Sequence, residues 1–237
     1  MARILTSSDC SLCVEFGSAI SEAINGQVRS FALAAEAACI PGVVELVPTY
    51  RSVTVQYRPE IVGYAQLYER LTRILEGLKT AEPPPNREVR VPVLYGGEFG
   101  PDLSNVAKLH GLSEAEVVEL HTAPNYLIYM LGFLPGFCYL GGLDERLATP
   151  RLATPRVSIP AGSVGIAGAQ TGVYPLPSPG GWQLIGRTPL KLYDPHRAQP
   201  ILLDAGMRLK FCPIDRAEYD RLRRENYPEE YEGGERP

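Results

Sequence analysis

The sequence predicts an α+β protein in two parts, a small open α/β sandwich followed by a compact β-barrel or sandwich. Three observations carry this reading. Strand-like and helix-like periodicities alternate through the first 80 or so residues, whereas helical periodicity stops near Asn125 and gives way to short β-like pieces between Gly/Pro turns. The chain of 237 residues also exceeds a usual single domain of roughly 100–150 residues. The expected divisions are 1–86, 87–214 and 215–237.

Residues 3–7 (RILTS) and 11–16 (SLCVEF) read as strands around a Ser-Ser-Asp turn, because β-formers flank residues that favour turn geometry. A helix follows, with Ile20, Ile24, Val28, Phe31 and Leu33 assigned to its apolar stripe and Pro41-Gly42 as the breaker. Residues 43–50 (VVELVPTY) and 52–58 (SVTVQYR) alternate as a hairpin. A second helix places Tyr64, Leu67, Leu71, Ile74, Leu75 and Leu78 on one stripe. Consecutive prolines in AEPPPN (81–86) lack amide donors and favour an extended linker. The strand from Glu88 to Tyr95 comes next and could pair with either part.

Two short helices are expected at Asp102 to His110 and Ser113 to Thr122, the latter opened by a Ser113-x-x-Glu116 capping box. Beyond Asn125 the pieces YLIYMLGF, RVSIP, SVGIAG, GWQLIG, LKLYD and RLKFC have β character. A charged helix from Arg216 to Asn226 and a disordered Pro/Gly/Glu tail close the chain.

Composition excludes several functions. A net charge of -4 and a pI near 5.5 lack the basic footprint that nucleic-acid binding requires. No apolar run is long enough to span a membrane and no leader-like start is present, so a cytoplasmic protein is expected. Five cysteines without framework spacing fit reduced thiols. Cys10 and Cys13 form a lone C-x-x-C with no second half for a metal, and no metal site is expected. Walker-type, G-x-G-x-x-G and G-x-S-x-G motifs are all missing.

Gly and Pro together number 45 (23 Gly and 22 Pro), where average usage gives roughly 28. The excess gathers at 132–142, 148–156, 159–168 and 170–182. Backbone so rich in these residues is ordered where it must approach a ligand or another chain closely, so this region is read as a ligand surface. Its candidates are Gly136, Gly162, Ser163, Gly165, Gln170, Thr171, Tyr174, Gly180, Gly181 and Trp182. Arg151, Arg156 and Arg187 are threaded through the same region, and guanidinium groups can clamp a carboxylate or phosphate. His121 ends the capped helix and is the acid–base candidate, with a helix-terminal role as the alternative. His110 fits the helix-terminal role better, and Cys138 lacks a sequence-adjacent histidine to activate it.

The run beginning at His121 and continuing through GFLPGFCYLGGLDERLATPR, TPRVSIPAGSVGIAG, QTGVYPLPSPGGWQLIGRTP and KLYD resembles the KipI family, also called the 5-oxoprolinase B subunit or allophanate hydrolase subunit 1. The opening SSDCSLCVEFG, Ile24-Asn25, GVVELVPTYRSVTVQY and VPVLYGG also fit, so the resemblance covers nearly the whole chain. It departs at Asp9-Cys10-Ser11, where the family has Asp-Ser, and at the added Cys13. The resemblance implies a cyclophilin-like β-barrel and a likeness to half of the carboxyltransferase region of urea carboxylase. It further implies an ATP-dependent opening of 5-oxo-L-proline to L-glutamate. The partners it implies are a paralogous 5-oxoprolinase C subunit, of the allophanate hydrolase subunit 2 type, and a separate 5-oxoprolinase A subunit.

On that basis Arg156 or Arg187 is expected to hold the substrate carboxylate. Gln170, Thr171 and the Gly162–Gly168 amides are expected to address the ring carbonyl, and His121 to assist proton transfer. The alternative it implies is inhibition of a sensor histidine kinase, gripped in a groove of Phe133, Phe137, Tyr139 and Trp182.

Overall fold

The computed structural model describes residues 2–78 and 87–227, which fall into two compact units, 1–86 and 87–237. The linker expected at 81–86 and the tail expected after residue 227 lie outside the described residues.

The first unit is an antiparallel sheet of β1 (Arg3–Ser8), β2 (Ser11–Glu15), β3 (Val43–Pro48) and β4 (Ser52–Tyr57) in the order β1-β2-β4-β3. Alternation sends Leu12, Val14, Val53, Val55 and Tyr57 into one core with α1 (Glu22–Ala37) and α2 (Tyr64–Gly77). The inward stripe of α1 is Asn25, Val28, Phe31 and Ala35, with Ile24 partly buried beside it, so Val28, Phe31 and Ile24 fall as expected and Ile20 and Leu33 do not. Ser21 caps the helix by accepting the Ile24 N–H at 3.2 Å, which leaves Ile20 outside it and 60% exposed. Leu33, two residues after Phe31, lies about 200° around the axis and is exposed. On α2 the stripe runs through Leu67 and Leu71, while Tyr64 is exposed against the Tyr68 ring.

The second unit is built around β5 (Glu88–Tyr95), β6 (Tyr126–Leu131), β7 (Cys138–Gly141), β8 (Arg156–Ile159), β9 (Ser163–Ala167), β10 (Gln170–Val173), β11 (Ser178–Gly180), β12 (Gln183–Arg187) and β13 (Arg208–Pro213). Seven of these strands form one sheet in the order β10-β9-β12-β5-β13-β6-β7. Its two end strands pack together at Gly172, where a Cβ would sit 3.3 Å from the Cys138 carbonyl, so the sheet is nearly a closed barrel. β8 and β11 form a separate two-stranded ribbon.

β5 pairs parallel with β13 and antiparallel with β12, inside the second unit's sheet. The helices α3 (Leu103–His110) and α4 (Glu114–Thr122) cover the barrel, with both halves of the Ser113/Glu116 capping box in place. Helix α5 (Arg216–Asn226) follows β13. LKLYD forms no strand; Tyr193 makes only an isolated bridge to Ile201.

Candidate functional site

Three of the four Gly/Pro segments, 132–142, 148–156 and 170–182, converge on a cleft of about 380 Å³ in the second unit. Its floor is an edge-to-face aromatic set in which Phe137 lies 5.2 Å from Tyr139, 5.6 Å from Tyr174 and 5.7 Å from Trp182, centroid to centroid. Gln170 at the start of β10, Gly180 and Gly181 complete the walls, with Arg151 at the exposed rim. The sharp turn before β7 is made possible by Gly136 at φ +83°. Phe133, at φ +64° in the same turn, stands 64% exposed against Phe137.

Gly180 lets the ribbon lie flat on the aromatic floor, because a Cβ there would meet the Tyr174 hydroxyl at 2.6 Å. Burial pushes the Tyr174 phenol up to about 12, with Arg151 and Arg156 drawing it back. It therefore stays a protonated hydroxyl. Arg151 forms no ion pair among the described residues, which leaves its guanidinium available to a ligand anion.

Several expected participants lie elsewhere. Arg156 is committed to Asp102 at 2.7 Å and also donates to the Trp182 carbonyl at 3.3 Å. The other Asp102 oxygen accepts the Leu184 N–H at 2.6 Å. Arg156 thus fixes the Trp182 segment from behind. It is a positioning residue and not the expected carboxylate clamp. Asp102, which the sequence marked only as a helix start, is the partner that makes it so.

His121 is fully buried in the barrel core, with Nδ1 2.8 Å from the Tyr95 hydroxyl, Nε2 2.8 Å from Thr171 Oγ1 and its ring stacked on Phe211. Burial lowers its pKa to about 3, so it is a neutral core group. The expected proton-transfer role has no route to the cleft. Thr171 is consumed by the same contact and by the Gly165 carbonyl at 3.1 Å.

The glycine-loop amides are likewise taken. Gly162 donates to Tyr174 at 2.7 Å and Gly168 to Thr149 at 2.7 Å, while Gly165 lies within β9 between two ladders. Ser163 is wholly buried, with its hydroxyl unpartnered. These residues build the barrel wall and do not face the cleft.

Arg187 lines a different cleft, against Phe99. His110 bonds Thr149 at 2.9 Å as a helix-end group. Cys138 is buried and its thiol is pushed up to about 12, while all five cysteines are unpaired. No group of metal-binding side chains occurs among the described residues. No helix among them is long and apolar enough to cross a membrane.

A near-closed barrel bearing this aromatic cleft, preceded by a four-stranded α/β unit, defines a carboxyltransferase-type protein. Residues 2–203 match the family described as carboxyltransferase domain, subdomain C and D, and the chain belongs to it. It is 46% identical to the 5-oxoprolinase B subunit of Bacillus subtilis (strain 168), over 92% of this chain and 95% of that protein. With the 5-oxoprolinase B subunit of Escherichia coli O157:H7 it shares 52% identity, over 79% of this chain and 85% of that one.

Among solved structures, TTHA0988 superposes with a TM-score of 0.77 at 39% identity. The match covers 91% of this chain but only 40% of that longer one. The urea amidolyase of K. lactis shares the fold at a TM-score of 0.75 and 18% identity, over 95% of this chain and 15% of that one.

Proposed function

We propose that the chain belongs to an ATP-dependent 5-oxoprolinase complex that opens 5-oxo-L-proline to L-glutamate, and that it works in the cytoplasm with a paralogous C subunit and a separate A subunit. The observation that carries this is the aromatic cleft with Arg151 at its rim, found in a chain similar to proteins named as the B subunit of 5-oxoprolinase. The substrate is a small, nearly planar lactam bearing one carboxylate. Edge-to-face aromatic walls suit the ring, and the rim guanidinium suits the carboxylate as a bidentate partner. Gln170, bordering the cleft, has the amide chemistry to address the lactam C=O or N–H.

Ring opening adds water across the lactam C–N bond, releasing the amine and a second carboxylate. A lactam carbonyl is a poor electrophile, which is why an activating step driven by ATP belongs to the assembled complex. The aromatic cleft does not fit a triphosphate, since its one unpaired cation among the described residues is Arg151 and the nearby Gly162 and Gly168 amides are occupied. Its work is therefore to bind and orient the lactam. The kinase-inhibitor alternative gains no support from the geometry of this cleft.

The test is reconstitution with the two companion proteins, measuring glutamate release and 5-oxoproline-dependent ATP hydrolysis. Arg151→Ala is expected to raise KM for 5-oxoproline about tenfold or more, the scale of one lost charge-assisted hydrogen bond. Full turnover by the companions without this chain would refute its place in the complex, and an unchanged KM in the variant would refute the role of Arg151.

A further inference from the structure

A second cleft, of about 600 Å³, lies between the barrel wall and α5. Four cations (Arg187, Lys191, Arg216 and Arg223) line it against two carboxylates (Glu98 and Asp220), and with Asp194 beside Lys191 the local excess is one positive charge on a chain whose net charge is -4. Most of these charges are engaged within the protein. Arg216 pairs with Glu98 at 2.8 Å and Asp220 at 2.9 Å, and Lys191 pairs with Asp194 at 3.2 Å. Arg187 differs from them. No ion pair among the described residues involves it, and its Nε is buried without a hydrogen-bond partner.

Its position is set by its immediate neighbours. Arg187 is the last residue of β12, paired with Leu94 and Ser163, and its guanidinium carbon is held 5.3 Å from the centre of the Phe99 ring. Arg216 covers the same ring at 5.0 Å. Nε is closed off from the cleft, but among the described residues no hydrogen bond or ion pair engages the Nη groups of Arg187, and an oxyanion entering the cleft can accept from both with bidentate geometry. Pro160, Pro175, Leu176 and Pro177 supply apolar wall beside the charged groups.

We propose that this cleft is an anion site in which Arg187 grips the phosphate group of a small ligand. Its volume admits either free inorganic phosphate or a nucleotide whose base rests on the tyrosine and proline walls. The assignment stands on the cleft itself and does not depend on the lactam reading of the aromatic cleft.

Titration calorimetry of the full chain with inorganic phosphate, AMP and ATP at low ionic strength tests it, alongside the shift in Tm that each ligand produces. Binding of at least one of the three is expected, with affinity falling about tenfold or more in Arg187→Gln and unchanged in Arg73→Gln on the exposed face of α2. AMP or ATP binding more tightly than phosphate identifies a nucleotide as the source, and equal affinities identify the free anion. Should Arg187→Gln fail to fold, Arg187→Lys keeps the charge but loses the fork and is expected to bind phosphate several-fold more weakly. Absence of binding by all three ligands, or equal binding by the wild type and the folded Arg187 variants, would overturn the proposal.

Discussion

At the scale of single residues, burial sets the protonation state of His121 and the cost of disturbing Arg156. The His121 ring is neutral when folded because its pKa falls from an ordinary 6.5 to about 3, whereas the unfolded chain protonates it near the ordinary value. Between those values the unfolded state binds the extra proton, so stability rises with pH across that window and is lost as pH falls below about 6.5. The slope from this one group approaches about 1.4 kcal/mol per pH unit. Denaturant unfolding at pH 7, 6 and 5 is expected to show it, and His121→Gln to lose it; an unchanged slope in the variant would mean the ring is not the titrating group.

Arg156 is likewise held by a buried partner. Removing its guanidinium leaves Asp102, itself 9% exposed, without its cation, and Arg156→Ala is expected to cost about 3 kcal/mol of stability, read as a lowered denaturation midpoint. Arg151→Ala at the exposed rim is expected to leave that midpoint within about 0.5 kcal/mol of wild type. Sequence reasoning could name both arginines because guanidinium chemistry is legible in the letters. It set Arg156 ahead of Arg151, the reverse of their placement, since the partner that disarms Arg156 lies 54 residues away at Asp102.

Elements were most legible where the signal is local. The capping box at Ser113 and Glu116, the strands on either side of the Thr49–Ser52 turn and the helix over Arg216–Asn226 follow from neighbouring residues. The α1 stripe is legible at Val28 and Phe31 but not at its edges, because apolar Leu33 lies on the exposed face and buried Asn25 carries no apolar signal. LKLYD has strand composition yet finds no partner strand. The β8–β11 ribbon packs on the aromatic floor through a position that has no room for a methyl group. Gly180→Ala would push a Cβ against the Tyr174 hydroxyl at 2.6 Å and Ile159 at 2.8 Å, lifting the ribbon from the aromatic floor. Such overpacking costs about 1–3 kcal/mol, and 5-oxoproline turnover by the reconstituted complex is expected to fall about tenfold while the Ser113 cap, remote from the change, keeps α4 intact. Undiminished turnover would show that the ribbon does not shape the cleft.

For the whole molecule, the decisive contacts are long-range. β5 reaches across the sequence to pair with β13 in parallel, Val91 opposite Phe211, and the barrel nearly closes where Gly172 meets the Cys138 carbonyl. No periodicity announces such pairings, so the sequence pattern supports a barrel or a sandwich equally and only a family resemblance chooses between them. The two units also keep separate cores, one around Phe31 and Leu67, the other around Tyr126 and Phe211. Independent cores of this kind need not unfold in one step. Trp182, the only tryptophan, belongs to the second unit, so its fluorescence reports that unit alone, whereas far-ultraviolet circular dichroism follows helices in both. The expected outcome in urea is two transitions that do not coincide, the fluorescence midpoint matching one of two steps in the dichroism. Moreover, Val53→Ala in the first core is expected to move only the step that fluorescence does not see, by roughly 1–3 kcal/mol. Coincident transitions that shift together in this variant would mean that the units fold as one cooperative body.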